Sequence, residues 1–229
     1  MNKKYIIILI LVLVVLFGGL FVLQKGILKK TYTEKKLSDK NRNLTDQQKR
    51  VYQDNIKKAE DYLKSLQTNN KAGLHQSIDE TYIYLGQEYY GLGELEMSKQ
   101  MYERALAQSP KAEQAMVGLV IVYQEAGDKS AALAAIEPAI LNKTKTADIW
   151  LRYIQMRIEE GAAAVNINSI YNDALNATDR SVDILSSFAQ YQEQNGNLKD
   201  SLALWQEALK KDPKNSSFEN EIAKLKNNK

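Results

Sequence analysis

Cysteine is absent from the 229 residues, histidine occurs once and proline three times. Without thiols there is no disulfide framework, no thiolate chemistry and no lipid attachment through Cys. The lone His75 has no second His or Cys to complete the four-ligand set of a structural metal site, so it reads as a surface or packing residue. Also missing are a Gly-rich phosphate loop, a nucleophile elbow and any metal-ligand spacing. Acid pairs such as Glu159-Glu160 read as ordinary helix-surface charges. No enzymatic activity and no cofactor are expected, which leaves binding.

One long apolar run is present. Residues 5–23, YIIILILVLVVLFGGLFVL, carry no charge. At about 1.5 Å per residue, a helix of this length covers roughly the 30 Å hydrocarbon core. The run exceeds the usual h-region of a signal peptide, and no small-x-small cleavage site precedes Gln24. We therefore expect an uncleaved single-pass anchor in the plasma or inner membrane, with a removed signal as the rival. Residues 1–4 form a short basic tail. Lys3 and Lys4 favour an inside N-terminus, whereas Lys25, Lys29, Lys30, Lys35 and Lys36 would hold the other flank inside. A Lys-Lys start before a long apolar run is the usual form of an exporting signal anchor, so the remainder is expected outside the cytoplasm. Gly18-Gly19 permits close helix approach but forms no GxxxG motif, which leaves self-association open.

Residues 24–44 are polar and Lys-rich, without helical periodicity, and read as a linker beside the membrane. Thr45 and Gln48 then have the form of a capping box. Val51, Tyr52, Ile56, Ala59, Leu63 and Leu66 follow on one stripe, and TNNKAG ends that helix. Residues 45–78 are expected to pack on what comes next. Charge is divided along the chain. Residues 1–71 hold fifteen Lys and Arg against six Asp and Glu, and residues 72–212 hold twelve against twenty. The acidic body argues against nucleic acid, which requires a clustered basic face. The basic part suits anionic headgroups, where each Lys contributes about 1 kcal/mol, or equally a solvated linker that helps set topology. Four sequons, at Asn43, Asn142, Asn176 and Asn215, could accept glycans in a secretory pathway.

From residue 79 the chain repeats. Tyr82, Leu85, Gly86 and Tyr89 share one helical face; Gly91 and Gly93 are expected to break that helix; Met97, Met101, Tyr102, Ala105 and Leu106 share the face of a second, closed by Pro110. Ala105, Ala139, Ala174 and Ala208 recur at steps of 34, 35 and 34 residues. The turn glycines Gly93, Gly127, Gly161 and Gly196 keep the same beat, as do Tyr102, Ile136, Tyr171 and Trp205. So do the first-helix anchors Tyr82, Met116, Trp150 and Leu185, followed by Leu85, Leu119, Tyr153 and Phe188. A helix pair cannot bury its apolar stripe alone, so the period implies an all-α stack of about four pairs: 79–112, 113–146, 147–181 and 182–215. Residues 216–229 supply a terminal helix with Phe218, Ile222 and Leu225 on one side.

These motifs resemble the tetratricopeptide repeat (TPR) family. The first unit fits it almost throughout, and the fourth keeps Gly196, Trp205, Ala208-Leu209 and Pro213. The departures are specific. Val120 and Ile154 replace a small first-helix residue, and Ser98 and Ser201 stand where Ala is usual. Pro138 lies inside a second helix, where it should cause a kink. The third unit carries one extra residue after Gly161 and has Asp179 for the closing Pro. The resemblance implies a right-handed α-solenoid whose concave groove takes a peptide or protein segment. It places the partner-binding positions at Glu80, Ile83, Gln87, Tyr90, Gln114, Val117, Ile121, Gln124, Asp148, Leu151, Gln155 and Gln190. The Lys, Arg and Asn of the carboxylate-clamp subclass are missing, so acidic C-terminal peptides are disfavoured. The expected function is a membrane-anchored interaction scaffold in envelope assembly, secretion or pilus-type machinery. The alternative is a translocon-associated chaperone for exported proteins.

Overall fold

The computed structural model describes residues 36–69 and 77–227. Met1–Leu37 and Ser38–Lys229 are separate compact units, and of the first only Lys36 and Leu37 are described. The anchor expected at residues 5–23, most of the linker and His75 lie outside the described residues. Among those described, no helix is long and apolar enough to cross a membrane.

Ser38–Lys229 is built from ten described helices. Helix α1 spans Asp46–Asn69, and four pairs follow: α2 Ile78–Leu92 with α3 Leu95–Gln108, then α4 Glu113–Glu125 with α5 Lys129–Leu141. The third pair is α6 Ala147–Glu159 with α7 Ala164–Ala177, the fourth α8 Val182–Gln194 with α9 Leu198–Lys211, and α10 Ser216–Asn227 ends the series.

Helix α1 starts at the expected box. The Thr45 backbone N–H donates to Gln48 Oε1 at 2.9 Å, and the Gln48 N–H donates to Thr45 Oγ1 at 3.2 Å, which satisfies two of the donors a helix start leaves free. Ile56 and Ala59 are buried, but Val51 is 54% exposed. It sits one residue, about 100° of helix rotation, away from Tyr52 and turns off the buried face. Helix α1 also runs three residues beyond Leu66, to Asn69.

The same turn recurs between the helices of every pair. Gly93, Gly127, Gly161 and Gly196 all adopt positive φ, from 77° to 85°. In each case the following residue's N–H reaches back to the last turn of the first helix: Glu94 to Tyr89 O, Asp128 to Tyr123 O, Ala162 to Arg157 O and Asn197 to Gln192 O. A left-handed residue at this place satisfies carbonyls the helix end leaves open, and Gly does so without a Cβ clash. Gly91, by contrast, does not break its helix. It remains inside α2, where a methyl group would lie 2.3 Å from the Tyr52 ring, so its smallness admits α1.

The second helices begin two residues after Gly93, Gly127 and Gly196 but three after Gly161. The extra residue of the third unit is therefore taken up in its turn. That unit closes on Asp179 and Arg180, both with positive φ, in place of Pro. Helix α5 continues past Pro138 to Leu141. The carbonyl that loses its donor belongs to exposed Ala134, where water can serve it.

The repeat columns form the core. Ala105, Ala174 and Ala208 are fully buried and Ala139 nearly so, with Tyr102, Ile136, Tyr171 and Trp205 beside them. One cluster joins α4, α5 and α6 through Met116, Val120, Ile136 and Ile149. A second joins the last two pairs to Phe218, Ile222 and Leu225 of α10. Backbone approach within a pair follows the small-residue position. It is closest in the first and fourth pairs, which have Gly86 and Ala189, and widest in the third, which has Ile154.

The two serines that stand for Ala differ in their surroundings. Ser98 Oγ donates to Gly86 O at 2.7 Å, whereas Ser201 Oγ is buried without a partner among the described residues. A buried hydrogen bond contributes about 1 kcal/mol net, and an orphaned hydroxyl costs about 1–3 kcal/mol. Ser98→Ala is therefore expected to lower the urea unfolding free energy by about 1 kcal/mol and Ser201→Ala to leave it unchanged or raise it. Equal losses in both variants would contradict this assignment.

Candidate interaction groove

Three first helices and one second-helix tyrosine enclose a hollow of about 570 Å³. Its walls come from Gln87 and Tyr90 of α2, Tyr102 of α3, Glu113 to Ile121 of α4, and Thr146, Asp148 and Ile149 at the start of α6. The hollow opens here because α4 and α6 approach each other's backbones less closely than α2 approaches α4 or α6 approaches α8. Side chains such as Ile149 bridge them instead.

Tyr102 fixes the near wall. A methyl group at Gly86 would stand 2.8 Å from its ring, and one at Gly118 only 2.3 Å. The ring thus lies in the space two missing Cβ atoms leave, between α2 and α4. Burial pushes its hydroxyl up to about 12, so it stays protonated at neutral pH.

Glu113 stands at the other end. Its carboxylate accepts hydrogen bonds from the Thr144 hydroxyl and, at 2.6 Å, from the Thr146 hydroxyl. Both threonines lie in the loop before α6, whose position is fixed in turn by Trp150 Nε1 donating to Thr144 O at 2.8 Å. Asp148 is exposed and pairs with Arg152 one turn on, at 2.7 Å.

An extended segment before α1 packs behind Tyr90. The Lys40 N–H donates to Gly93 O at 2.8 Å, and a Cβ at Gly93 would collide with Lys40 O. Arg42 forms a two-pronged pair with Glu125, both contacts at 2.8 Å. Its guanidinium also lies 4.5 Å from the centre of the Tyr90 ring, a cation–π distance. Residues 38–44, expected to be linker, are thus a strap held to the first two pairs. Burial pushes the Glu125 carboxyl up, but hydrogen bonds from Arg42 and Tyr90 outweigh it and hold the group below its ordinary value. Tyr90 is raised, first by burial and then by Glu125.

Of the twelve positions named from sequence, six converge on the hollow: Gln87, Tyr90, Gln114, Val117, Ile121 and Asp148. The other six do not. Glu80 is occupied as a cap, accepting from the Ser77 N–H at 2.8 Å. Ile83 is buried in the core. Gln124 lines a separate hollow of about 250 Å³ with Leu133, Met156 and Glu160. Leu151 packs against the C-terminal core cluster, Gln155 donates to Glu159 at 2.9 Å, and Gln190 is exposed away from the site. Sequence reasoning missed Glu113, Thr146, Ile149, Tyr102 and Gly118 as wall residues, and Arg42 as the partner of Tyr90 and Glu125. Of these only Tyr102 carried a signal, as a large residue at a repeat position.

The tetratricopeptide repeat family model matches residues 85–135, from the middle of α2 into α5. Among solved structures, a tetratricopeptide repeat protein from Parabacteroides merdae is similar, at 17% identity over 77% of this chain and 72% of that one, with a TM-score of 0.50. MamA matches at 18% identity over 75% of this chain and 94% of its own, with a TM-score of 0.53. At such identities the likeness is one of fold, an all-α TPR-like solenoid. No curated protein matches.

The strap makes stability pH-dependent. A carboxyl whose folded pKa lies below its unfolded one contributes fully above the unfolded value, and the contribution fades as pH falls through the folded one. Arg42→Ala is expected to cost roughly 1–3 kcal/mol at pH 7. The gap to wild type should narrow below about pH 4, where carboxylates protonate. A gap that stays constant from pH 7 to pH 3 would show that Arg42 acts through something other than Glu125.

Proposed function

We propose that this protein is an interaction scaffold that holds a segment of another protein in the hollow between α2, α4 and α6. The observation that carries the reading is the division of labour along that hollow. Val117, Ile121 and Ile149 supply an apolar floor. Gln87 and Gln114 are exposed beside it, and their side chains make no hydrogen bond to any other described residue. Unengaged amides next to an apolar strip suit an extended peptide, whose backbone needs donors and acceptors while alternate side chains seek apolar contact.

Residues 5–23 extend the reading to the membrane. Their uncharged length supports a single-pass anchor, and the Lys-Lys start supports a repeat body outside the cytoplasm. The scaffold would then gather partners at the membrane surface, in envelope assembly, secretion or pilus-type machinery.

One experiment addresses both parts. Full-length protein should remain in membranes after an alkaline wash and co-purify with a bound protein. Gln114→Trp, which fills the hollow from an exposed position, should reduce that capture at least roughly tenfold, as loss of a central contact does, without changing thermal stability. Release by the wash would remove the anchor. Undiminished capture by Gln114→Trp would remove the groove.

A further inference from the structure

We infer that the segment held in this groove carries a lysine or arginine a few residues from an apolar side chain, with the cation seated at Glu113. The inference rests on the groove reading above and adds the chemistry of the occupant.

The eleven residues lining the hollow include two carboxylates, Glu113 and Asp148, and no Lys or Arg. Arg42, which lies on the Tyr90 ring, is already matched by Glu125. Asp148 shares its charge with Arg152 across an exposed one-turn pair, the weak kind that a ligand displaces readily. Glu113 differs. Among the described residues it has no cationic partner, and its oxygens are held by two hydroxyls that both donate. Hydroxyl donors fix a carboxylate's orientation and leave its negative charge in place. A bound cation therefore gains the charge without the entropy cost of ordering a free side chain. Glu113 opens α4, and the positive end of that helix offsets about half a charge. The remainder faces the hollow.

Geometry sets the spacing. Glu113 and Ile121 are eight residues apart on α4, about 12 Å along its axis at 1.5 Å per residue. An extended chain advances about 3.3 Å per residue, so some three or four residues cover that span. An apolar residue over Val117 and Ile121 then places a Lys or Arg two to four positions away at Glu113. An acidic residue there would face two carboxylates, which excludes acidic peptides on the same ground.

The test is an array of immobilised dodecapeptides in a Gly-Ser background. Each carries one Leu and, at varied spacing, one Lys, Arg, Glu or Gln, and the array is probed with detergent-solubilised full-length protein. The expected result is binding that needs both Leu and a cation two to four positions away. Glu113→Gln, Asp148→Asn and their combination should reduce the preference for Lys over Gln by roughly 3- to 30-fold, the range two surface ion pairs supply, while the Leu requirement remains. Asp148→Asn, at an exposed site, keeps the test alive should Glu113→Gln misfold. Equal binding of Lys and Glu peptides, or an unchanged Lys preference in the double variant, overturns the inference alone, provided Gln114→Trp abolishes binding. Binding that survives Gln114→Trp, or no binding by wild type, overturns the groove reading with it.

Discussion

Tyr102 sits where two side chains are missing, and the site depends on that. Its ring fills the space beside Gly86 and Gly118 and so sets how α3 lies against both α2 and α4. A closely packed interior does not deform continuously. A ring held on two sides therefore fixes the wall of the hollow as firmly as it fixes the core. The later pairs repeat the aromatic or aliphatic knob, with Ile136, Tyr171 and Trp205, but not the paired glycines. The hollow lies just beyond Gly118, where α4 and α6 approach each other less closely than α2 and α4 do.

The stack closes its two ends by different means. At the C-terminal end α10 covers the last apolar face with Phe218, Ile222 and Leu225 and turns its Lys side chains outward, with Lys224 reaching Glu193 at 2.7 Å. At the other end α1 covers α2 through Tyr52 and through Asn55, which donates to Glu88 at 3.0 Å. The strap then reaches across to the second pair. Its Arg42 touches α2 and α4 at once, so the first two repeats are tied by a charged pair as well as by packing.

Much of this was legible in the sequence, for one reason: a repeat multiplies each signal. One glycine is a weak indication of a turn, but four glycines in register, each later found with positive φ, are strong. The extra residue after Gly161 and the small-residue departures were equally visible, because a repeat supplies its own standard of comparison. Gly91 was misread, since its neighbour Tyr52 lies on another helix and no local pattern records that. Ile83, named for the groove, is buried in the core for a related reason. Its position in a repeat predicts a direction, but burial depends on what packs over it. The strap was not legible at all. Lys40 is held through its backbone N–H, which any residue but proline provides, and Arg42 meets Glu125 across 83 residues of chain. Glu113 carried no mark in the sequence either, because the Thr144 and Thr146 hydroxyls that hold it lie 31 and 33 residues away.

The claim at the centre of this account is that the hollow between α2, α4 and α6 is where the stack engages another protein. A photo-reactive amino acid placed at position 114, in the groove, and at position 203, beside the separate hollow near Arg180 and Glu207, tests it in intact cells. The account predicts a dominant cross-linked adduct from position 114 and none from position 203. Equal adducts from both positions, or an adduct from position 203 alone, would contradict it.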